Sequence, residues 1–382
     1  MPSDPFFYEF IKKSVNKTRH TAGLEEALKP KTLLTLFVAL CVAASAAWFF
    51  KSREDRRADP GFAGKRLIKG LDVNQIAQIT LQAPDSHVEL ARGESAWTVK
   101  NRWDYPADFE KLTDFVKKLA GLKIGREFTG SDETLSRLSL LPPGQDGEKA
   151  PGRGTRAVFK NDSGDVMADL ILGKTRSAQS GSGGHYVRLG EDSAVFLVDK
   201  SFRFLETDPA QWMDVRILDV PADEVERIDC FVRSKGKNRK RYSLKRPARG
   251  KPPELEGVAK SKKFQASKTD GIFKALAPLY IEDVADPGKK WGAAFDKKPF
   301  YAYRLYDGAV YTVRPGGPLS DQDERRYFKV EAAFPAPDKD ATPDSARDAQ
   351  RKKTAGGLSW TYVVSKWTAD IFSPDPASYF EK

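Results

Sequence analysis

The sequence predicts an α+β protein, with an N-terminal single transmembrane helix followed by two related domains of antiparallel sheet with a packed helix each. Three observations predict this fold class. A long apolar run lies near the N-terminus, short strand-like runs alternate with turn residues, and one helical pattern interrupts them in each half of the chain. Runs of strands broken by a single helix are typical of α+β folds and not of doubly wound sheets.

The apolar run covers residues 33–50 and carries no charge between Lys31 and Lys51. A helix of this length reaches roughly 27 Å, which is enough to cross the hydrocarbon core of a bilayer. Trp48 and the phenylalanines after it stand at one end, where aromatic residues favour the membrane interface. A cleaved signal peptide is the alternative, because residues 44–46 (ASA) resemble a cleavage site. The long polar segment before the run favours an uncleaved anchor instead.

Two charged segments flank this run. Residues 1–32 are predicted to be a cytoplasmic tail, and residues 51–66 a linker. Charge does not decide the orientation, because the first 32 residues carry six Lys or Arg and residues 51–70 carry seven. Long domains cross a membrane largely regardless of charge. We therefore expect a bacterial inner-membrane protein with its N-terminus in the cytoplasm and its main domain extracytoplasmic.

The chain after the linker repeats itself, which predicts one α+β domain at 67–214 and a second at 215–382. The matching segments are 66–82 (RLIKGLDVNQIAQITLQ) with 216–232 (RILDVPADEVERIDCFV), and 195–212 with 361–379. The second half carries two insertions, a basic stretch at 235–251 and a Pro/Asp/Lys-rich loop at 335–357. Chance similarity of two hydrophobic patterns is the alternative explanation.

Each half contains one predicted helix between strands. The apolar positions on its face are Leu112, Phe115, Val116, Leu119 and Leu122 in the first half, and Thr269, Ile272, Phe273, Leu276 and Leu279 in the second. Ser267 and Asp270 resemble a capping box that would start the second helix. In the first half the predicted strands are IAQITLQ, HVELAR and AWTVKN before the helix, and TRAVFKN, VMADLILG, HYVRLG and AVFLVD after it.

These segments resemble the family called domain of unknown function DUF4340. The resemblance lies in the apolar helix and in the phrases IAQITLQ…VELARGESAWTVKN with Trp97, YPADFEKLTDFVKKLAGLK, DLILGK, HYVRLGEDSAVFLVDKSF and WMDVRIL. It covers most of residues 66–382 and implies an extracytoplasmic α+β domain on a membrane anchor. Family members are often associated with gliding-type ABC transport components, so the resemblance implies an accessory or scaffold role and no activity. The basic 235–251 stretch departs from the family pattern.

Residues 170–186 (LILGKTRSAQSGSGGHY) look at first like a nucleotide site, because Gly173-Lys174-Thr175 resembles the end of a phosphate-binding loop. Such a loop needs a glycine five residues before Gly173, where Ala168 stands. It also needs a helix afterwards, and RSAQSGSGG is a poor helix former. The sequence therefore predicts that a strand ends here in a flexible hairpin turn.

Other residue types that carry chemistry are scarce. His87, His185 and Cys230 have no zinc-type spacing, and residues 320–324 (SDQDE) are typical of a solvated loop more than of a cation site. Paired carboxylates for glycoside chemistry leave no spacing signature. The sequence therefore predicts no catalytic, cofactor-binding or metal-binding residue, no cofactor, and a protein that is not an enzyme.

Charge points to an anionic partner, since the net charge is +11 and residues 235–251 contain nine Lys or Arg. Outside the membrane, anionic lipid or an acidic partner subunit is favoured over nucleic acid, and a solvated hairpin is the plain alternative. The expected function is a non-enzymatic membrane-anchored accessory or scaffold protein of an ABC-type transport or cell-envelope machine. The alternatives are an envelope polysaccharide-binding protein or hydrolase with a cleft between the repeats, and nucleic-acid binding if the domain is cytoplasmic.

Overall fold

A computed structural model describes residues 64–144, 151–176, 183–234, 236–258, 263–295, 298–335, 357–372 and 375–381. The predicted tail, the predicted transmembrane segment, almost all of the linker and most of the 335–357 loop lie outside these residues. Within the described ranges, no helix combines the length and the apolar character that a membrane crossing requires.

The first half of the described chain forms a nine-stranded antiparallel sheet in the order β4-β3-β2-β1-β6-β7-β8-β9-β5. Its strands are β1 (Gln78–Gln82), β2 (His87–Arg92), β3 (Trp97–Val99), β4 (Tyr105–Pro106), β5 (Ile124–Thr129), β6 (Thr155–Lys160), β7 (Val166–Arg176), β8 (Gly184–Leu189) and β9 (Ala194–Val198). The helices are α1 (Phe109–Ala120) and α2 (Asp132–Arg137). Apolar residues alternate along the strands, so that Ile79 and Leu81 of β1 face the core and the residues between them do not.

The helix predicted from apolar spacing is α1. It begins after Asp108, whose carboxylate accepts a hydrogen bond from the Lys111 backbone N–H at 3.0 Å. Leu112, Phe115 and Leu119 are buried on one face of the helix, as the spacing predicts. The helix therefore covers the sheet with a single apolar stripe.

The second half forms an eight-stranded antiparallel sheet in the order β13-β12-β11-β16-β17-β18-β19-β15, and β10 pairs separately with β14. The elements are β10 (Arg216–Leu218), β11 (Val225–Ser234), β12 (Lys237–Lys245), β13 (Glu254–Glu256), α3 (Asp270–Phe273), β14 (Leu279–Tyr280), β15 (Asp283–Val284), β16 (Phe300–Leu305), β17 (Val310–Pro318), β18 (Arg326–Ala333), β19 (Tyr362–Val364) and α4 (Lys366–Ile371). Short 3-10 helices lie at Val73–Gln75, Lys100–Arg102, Pro209–Trp212, Ala222–Glu224, Ala266–Thr269, Gly292–Ala294 and Pro376–Tyr379. The described chain is thus mostly antiparallel sheet with few helices.

The two sheets have the same strand order once β4 is set aside. Strands β1 to β3 and β5 to β9 occupy the places that β11 to β13 and β15 to β19 occupy in the second sheet. An isolated bridge joins Ala107 to Met213 near the end of the first half, and another joins Phe264 to Phe380 at the end of the second. The domain boundary at residue 214 stays a prediction.

The second predicted helix is much shorter than its apolar pattern suggests. Residues 266–269 form a 3-10 turn and α3 adds only one α-helical turn, without a side-chain cap. Gly271 weakens the helix, and Pro278 cannot donate a helical hydrogen bond and disfavours helical geometry in the residue before it. The predicted capping box at Ser267 and Asp270 is therefore wrong.

The two sheets meet at a junction that has both polar and aromatic contacts. Arg102 Nε donates to Asp283 Oδ1 at 2.7 Å, and both side chains are less than a quarter exposed. The rings of Tyr105 and Trp360 lie edge-to-face with their centroids 5.3 Å apart. One cluster of buried apolar side chains continues from the first sheet into the second. Residues 62–382 accordingly form one compact unit.

Candidate functional site

The segment that follows β9, residues 201–206 (SFRFLE), separates two surface cavities, and we call it the 201–206 loop. Its backbone is fixed at both ends. The Phe202 N–H donates to His185 Nδ1 at 3.2 Å, and the indole Nε1 of Trp212 donates to the Glu206 carbonyl oxygen at 2.9 Å. The loop is therefore held between a strand of the sheet and the segment that follows it.

The first cavity, which we call the α1 groove, lies between α1 and the 201–206 loop and has a volume of about 440 Å³. Apolar side chains line its floor, namely those of Phe115, Phe202, Leu205 and Trp212. Charged side chains line it as well, namely those of Lys111, Asp114, Lys118, Arg203 and Glu206. Two of the cations lie over aromatic rings, with Lys111 Nζ 5.1 Å from the Trp212 ring and Lys118 Nζ 4.9 Å from the Phe202 ring.

Phe204 lines the α1 groove and is 82% exposed to solvent. Its ring has the Arg203 guanidinium 5.6 Å from its centroid and is otherwise open. A large exposed aromatic side chain beside an apolar groove is typical of a surface that binds another molecule.

The second cavity lies on the other side of the loop, against β6, β7 and β8, and we call it the His185 cavity. Its volume is about 460 Å³. Its polar lining consists of Thr155, Lys174, Thr175, His185 and Arg203. Arg203 and Phe202 line both cavities, so the 201–206 loop forms a shared wall.

His185 is only 3% exposed, and its ring packs edge-to-face against Phe202 with 5.9 Å between centroids. Burial lowers the pKa of this imidazole to about 4, because a charged ring would lose its hydration, and the positive charge of Lys118 lowers it further. The Gly173 backbone opposes the shift, but Nε2 has no hydrogen-bond partner of normal geometry. The ring is therefore neutral at pH 7, and among the described residues its Nε2–H has no partner better than the Gly173 backbone.

Gly173-Lys174-Thr175 lies inside a strand, because β7 continues to Arg176 with a register shift between Leu172 and Thr175. The predicted hairpin turn at this tripeptide is thus placed too early along the chain. The Lys174 N–H donates to the Leu138 carbonyl oxygen at 2.8 Å, so a neighbouring segment takes up this backbone group. Glycine is required for a steric reason, since a Cβ at position 173 would overlap the Leu138 carbonyl oxygen and approach Leu140 Cδ2 to 2.8 Å.

We expect the Gly173→Ala variant to lose about 1–3 kcal/mol of unfolding free energy, because the added methyl group must displace backbone at residue 138. The shift of the urea midpoint measures this loss. Gly271→Ala is the matched control, since a Cβ there meets no atom within 4 Å and lies in a helical turn. Equal midpoints for the two variants would contradict the packing explanation.

The basic stretch 235–251 contains all of β12 and the turn after it. The described residues at its start, Lys237 to Arg241, are all exposed, and β13 pairs only with Ser243 to Lys245. Further along, the Arg246 guanidinium donates a hydrogen bond to the Ala222 carbonyl oxygen, and its Cζ lies 4.0 Å from the Phe273 ring centroid. Arg249 forms an ion pair with Glu224 at 2.7 Å. Part of the basic stretch thus has a structural role, and two cations without an ion pair among the described residues, Lys237 and Arg239, lie near the β11–β12 hairpin tip.

The other residues singled out from the sequence do not come together. His87 hydrogen-bonds Asn101 at 3.0 Å on an exposed strand end. Cys230 is buried in the second sheet, and burial raises the pKa of its thiol. In the 320–324 segment, Asp323 pairs with Arg325 at 2.8 Å. In the part of the chain that the structure describes, no group of three or more His, Cys, Asp or Glu side chains could hold a metal ion.

The sequence pattern predicts no site residue, and the 201–206 loop is therefore not among the predicted features. One signal for it was present in β8, where His185 shares the face of Val187, a buried apolar position. A histidine on an apolar face of a strand indicates a buried imidazole. Its partner, Phe202, could not be predicted, because it returns to the sheet only through the tertiary fold.

Comparisons with known proteins agree with the family resemblance. No curated protein and no solved structure matches the chain significantly. A family model described as "Domain of unknown function (DUF4340)" matches residues 97–305, which extend from β3 to β16 and make up more than half of the chain. The chain therefore belongs to the DUF4340 family.

Proposed function

We propose that this chain is a non-enzymatic accessory or scaffold protein of an ABC-type transport or cell-envelope machine, anchored in a bacterial inner membrane. The apolar run at 33–50 supports the anchor, and the ABC association implied by the family resemblance supports the setting. The observation that carries the proposal is the α1 groove with exposed Phe204 beside it. The main domain would act outside the membrane through contacts with other proteins.

The lining of the α1 groove indicates the chemistry of its partner. An apolar floor of about 440 Å³ accommodates one or two large apolar side chains. Three cations, Lys111, Lys118 and Arg203, surround it against two acids, Asp114 and Glu206. Charge complementarity therefore favours a protein segment with an apolar anchor residue and acidic neighbours.

The two sheets would be copies of one α+β unit, as the sequence repeat predicts. Their common strand order supports this, and so do the matching bridges at Ala107–Met213 and Phe264–Phe380. A duplicated scaffold offers two sets of loops of similar placement. The copies differ where a partner would bind, since residues 201–206 form an open loop while α4 occupies the related place in the second copy.

The basic hairpin tip is a second contact within the same proposal. Lys237 and Arg239 are exposed and make no ion pair with any residue that the structure describes. Cations clustered on a projecting hairpin attract anionic lipid headgroups or an acidic partner subunit. This contact would add to the α1 groove without replacing it.

A photo-crosslinking experiment in native membranes tests the proposal. A photoreactive amino acid in place of Phe204 should yield a discrete adduct with a transporter or envelope subunit, because the side chain stands at the edge of the groove. The same amino acid in place of Trp367, which is 75% exposed on α4, is the matched control and should not give that adduct.

Two results would contradict the proposal. One is the absence of any adduct from position 204 while the protein is folded and in the membrane fraction. The other is the same adduct at equal yield from both positions, since this would indicate collision and not docking. Identification of the partner by mass spectrometry is part of the readout, so capture of an arbitrary protein does not count as support.

A further inference from the structure

The His185 cavity has a lining that differs in kind from that of the α1 groove. Its polar groups are two hydroxyls, an ammonium, a guanidinium and an imidazole, from Thr155, Thr175, Lys174, Arg203 and His185. None of the described residues that line it is acidic. All five side chains can donate hydrogen bonds, and two carry permanent positive charge.

His185 supplies an independent sign that the cavity is a ligand site. Its Nδ1 is occupied by the Phe202 N–H, which leaves Nε2 as the free nitrogen of the ring. Nε2 has no hydrogen-bond partner of normal geometry among the described residues, although the backbone of Gly173 acts on the ring, and the ring lines the cavity. A buried donor with so poor a partner is unfavourable and rare in native proteins, so an acceptor supplied by a ligand would stabilise it.

The cations of the cavity are not neutralised by acidic residues in the described part of the chain. Lys174 and Arg203 are exposed and form no ion pair with the residues that the structure describes. Lys118 lies close enough to act on His185 electrostatically and adds to the positive potential. Such a set of donors and charges is complementary to an anion and repels cations.

The geometry points to a binding site for the phosphoryl group of a phosphate monoester in the His185 cavity. A phosphoryl group has three acceptor oxygens, and it can take charge-assisted hydrogen bonds from Lys174 and Arg203 together with neutral ones from His185 and the threonines. Leu172, Phe202 and Leu205 supply apolar walls for the organic part of the ligand. The volume of about 460 Å³ is that of a small-molecule site.

The site differs from a phosphate-binding loop, although Lys174 and Thr175 lie in the tripeptide that resembles one. The backbone at Gly173 is packed against Leu138 and Leu140 and does not curl around a ligand. Recognition would come from side chains gathered from β6, β7, β8 and the 201–206 loop. The inference is independent of the proposed function, since it needs neither the membrane nor a protein partner.

The chain contains three histidines, which makes NMR of ¹³C-labelled imidazoles in the full-length protein a direct test. The probes are glycerol 3-phosphate, inorganic phosphate and dihexanoyl phosphatidic acid. The His185 resonance, assigned with His185→Gln, should shift in a saturable way with the phosphate monoester. The His87 resonance, from an exposed strand end outside the cavity, should not.

A matched pair of double variants tests which cations matter. Lys174→Gln with Arg203→Gln should weaken binding by about tenfold or more, because two charge-assisted hydrogen bonds are lost. Lys274→Gln with Arg304→Gln removes the same charge at two exposed positions that line neither cavity and should leave the affinity within about twofold, since screened surface charges contribute little at a distance.

The probes also distinguish the sources of the phosphoryl group. Saturation by glycerol 3-phosphate supports a soluble ligand, and saturation by phosphatidic acid alone supports a lipid headgroup; either outcome supports the site. Absence of a saturable His185 shift with every probe at millimolar concentration would overturn the inference. Equal weakening by both double variants, or equally tight binding of acetate, would overturn it as well.

Discussion

Replacing Trp212 with alanine should lower the free energy of unfolding by about 3–5 kcal/mol, the largest effect that we expect from one side chain. The indole is 1% exposed and packs edge-to-face on Phe115 of α1, with 5.6 Å between ring centroids. Its removal leaves a cavity under α1 and takes the donor from the Glu206 carbonyl oxygen. The variant thus loses packing and a hydrogen bond together.

Circular dichroism during urea unfolding of the full-length chain measures this loss without relying on tryptophan fluorescence. Trp367→Ala is the matched control, because the same residue type is removed from a position that is 75% exposed. Its free energy of unfolding should stay within about 0.5 kcal/mol of the wild type. If the two variants shift equally, Trp212 is not the anchor of α1 and the 201–206 loop.

The free energy of unfolding should fall as the pH drops from about 6.5 to about 4. In this range the unfolded chain binds a proton at His185, whereas the folded chain keeps this imidazole neutral. Burial lowers the pKa of the folded imidazole to about 4, against 6.5 for an ordinary histidine. The unfolded state is favoured wherever it binds more protons. At pH 4, the protonation of His185 should have lowered the free energy of unfolding by about 3 kcal/mol relative to pH 7.

The measurement compares the wild type with His185→Gln across this pH range. A glutamine amide oxygen can still accept the Phe202 N–H but does not titrate. The carboxylates titrate in both proteins, so their contribution cancels in the difference. We expect the two stability curves to run parallel above pH 7 and to approach each other below 6.5. Parallel curves throughout would refute the buried neutral imidazole.

Much of the first sheet follows from local pattern. Strand alternation locates β1 and β2, and the spacing of Leu112, Phe115 and Leu119 locates α1, because burial on one face dictates both periods. The second helix is shorter than the same pattern predicts, since α3 ends at Phe273 and both Gly271 and Pro278 disfavour a longer helix. The apolar period indicates which face is buried, while glycine and proline decide how far the helix continues.

The candidate site was less predictable than the fold. The tripeptide at Gly173 resembles the end of a phosphate-binding loop, but its glycine serves close packing against Leu138. His185 and Phe202 meet only because the chain returns to the sheet after β9. Contacts of this kind depend on the path of a loop, and periodicity in a single sequence does not encode that path.

The bridges at Ala107–Met213 and Phe264–Phe380 also have a consequence for the order of assembly. In the first half Ala107 pairs with Met213, and in the second Phe264 pairs with Phe380, so each pairing needs a residue that is synthesised near the end of its half. Strands β5 and β15 likewise pair with the later strands β9 and β19. A chain that emerges from its N-terminus can complete the first sheet while the second is still being made. Neither sheet is complete before its own final strand is synthesised, so until then β8 and β18 each have an unpaired edge to which another chain can add.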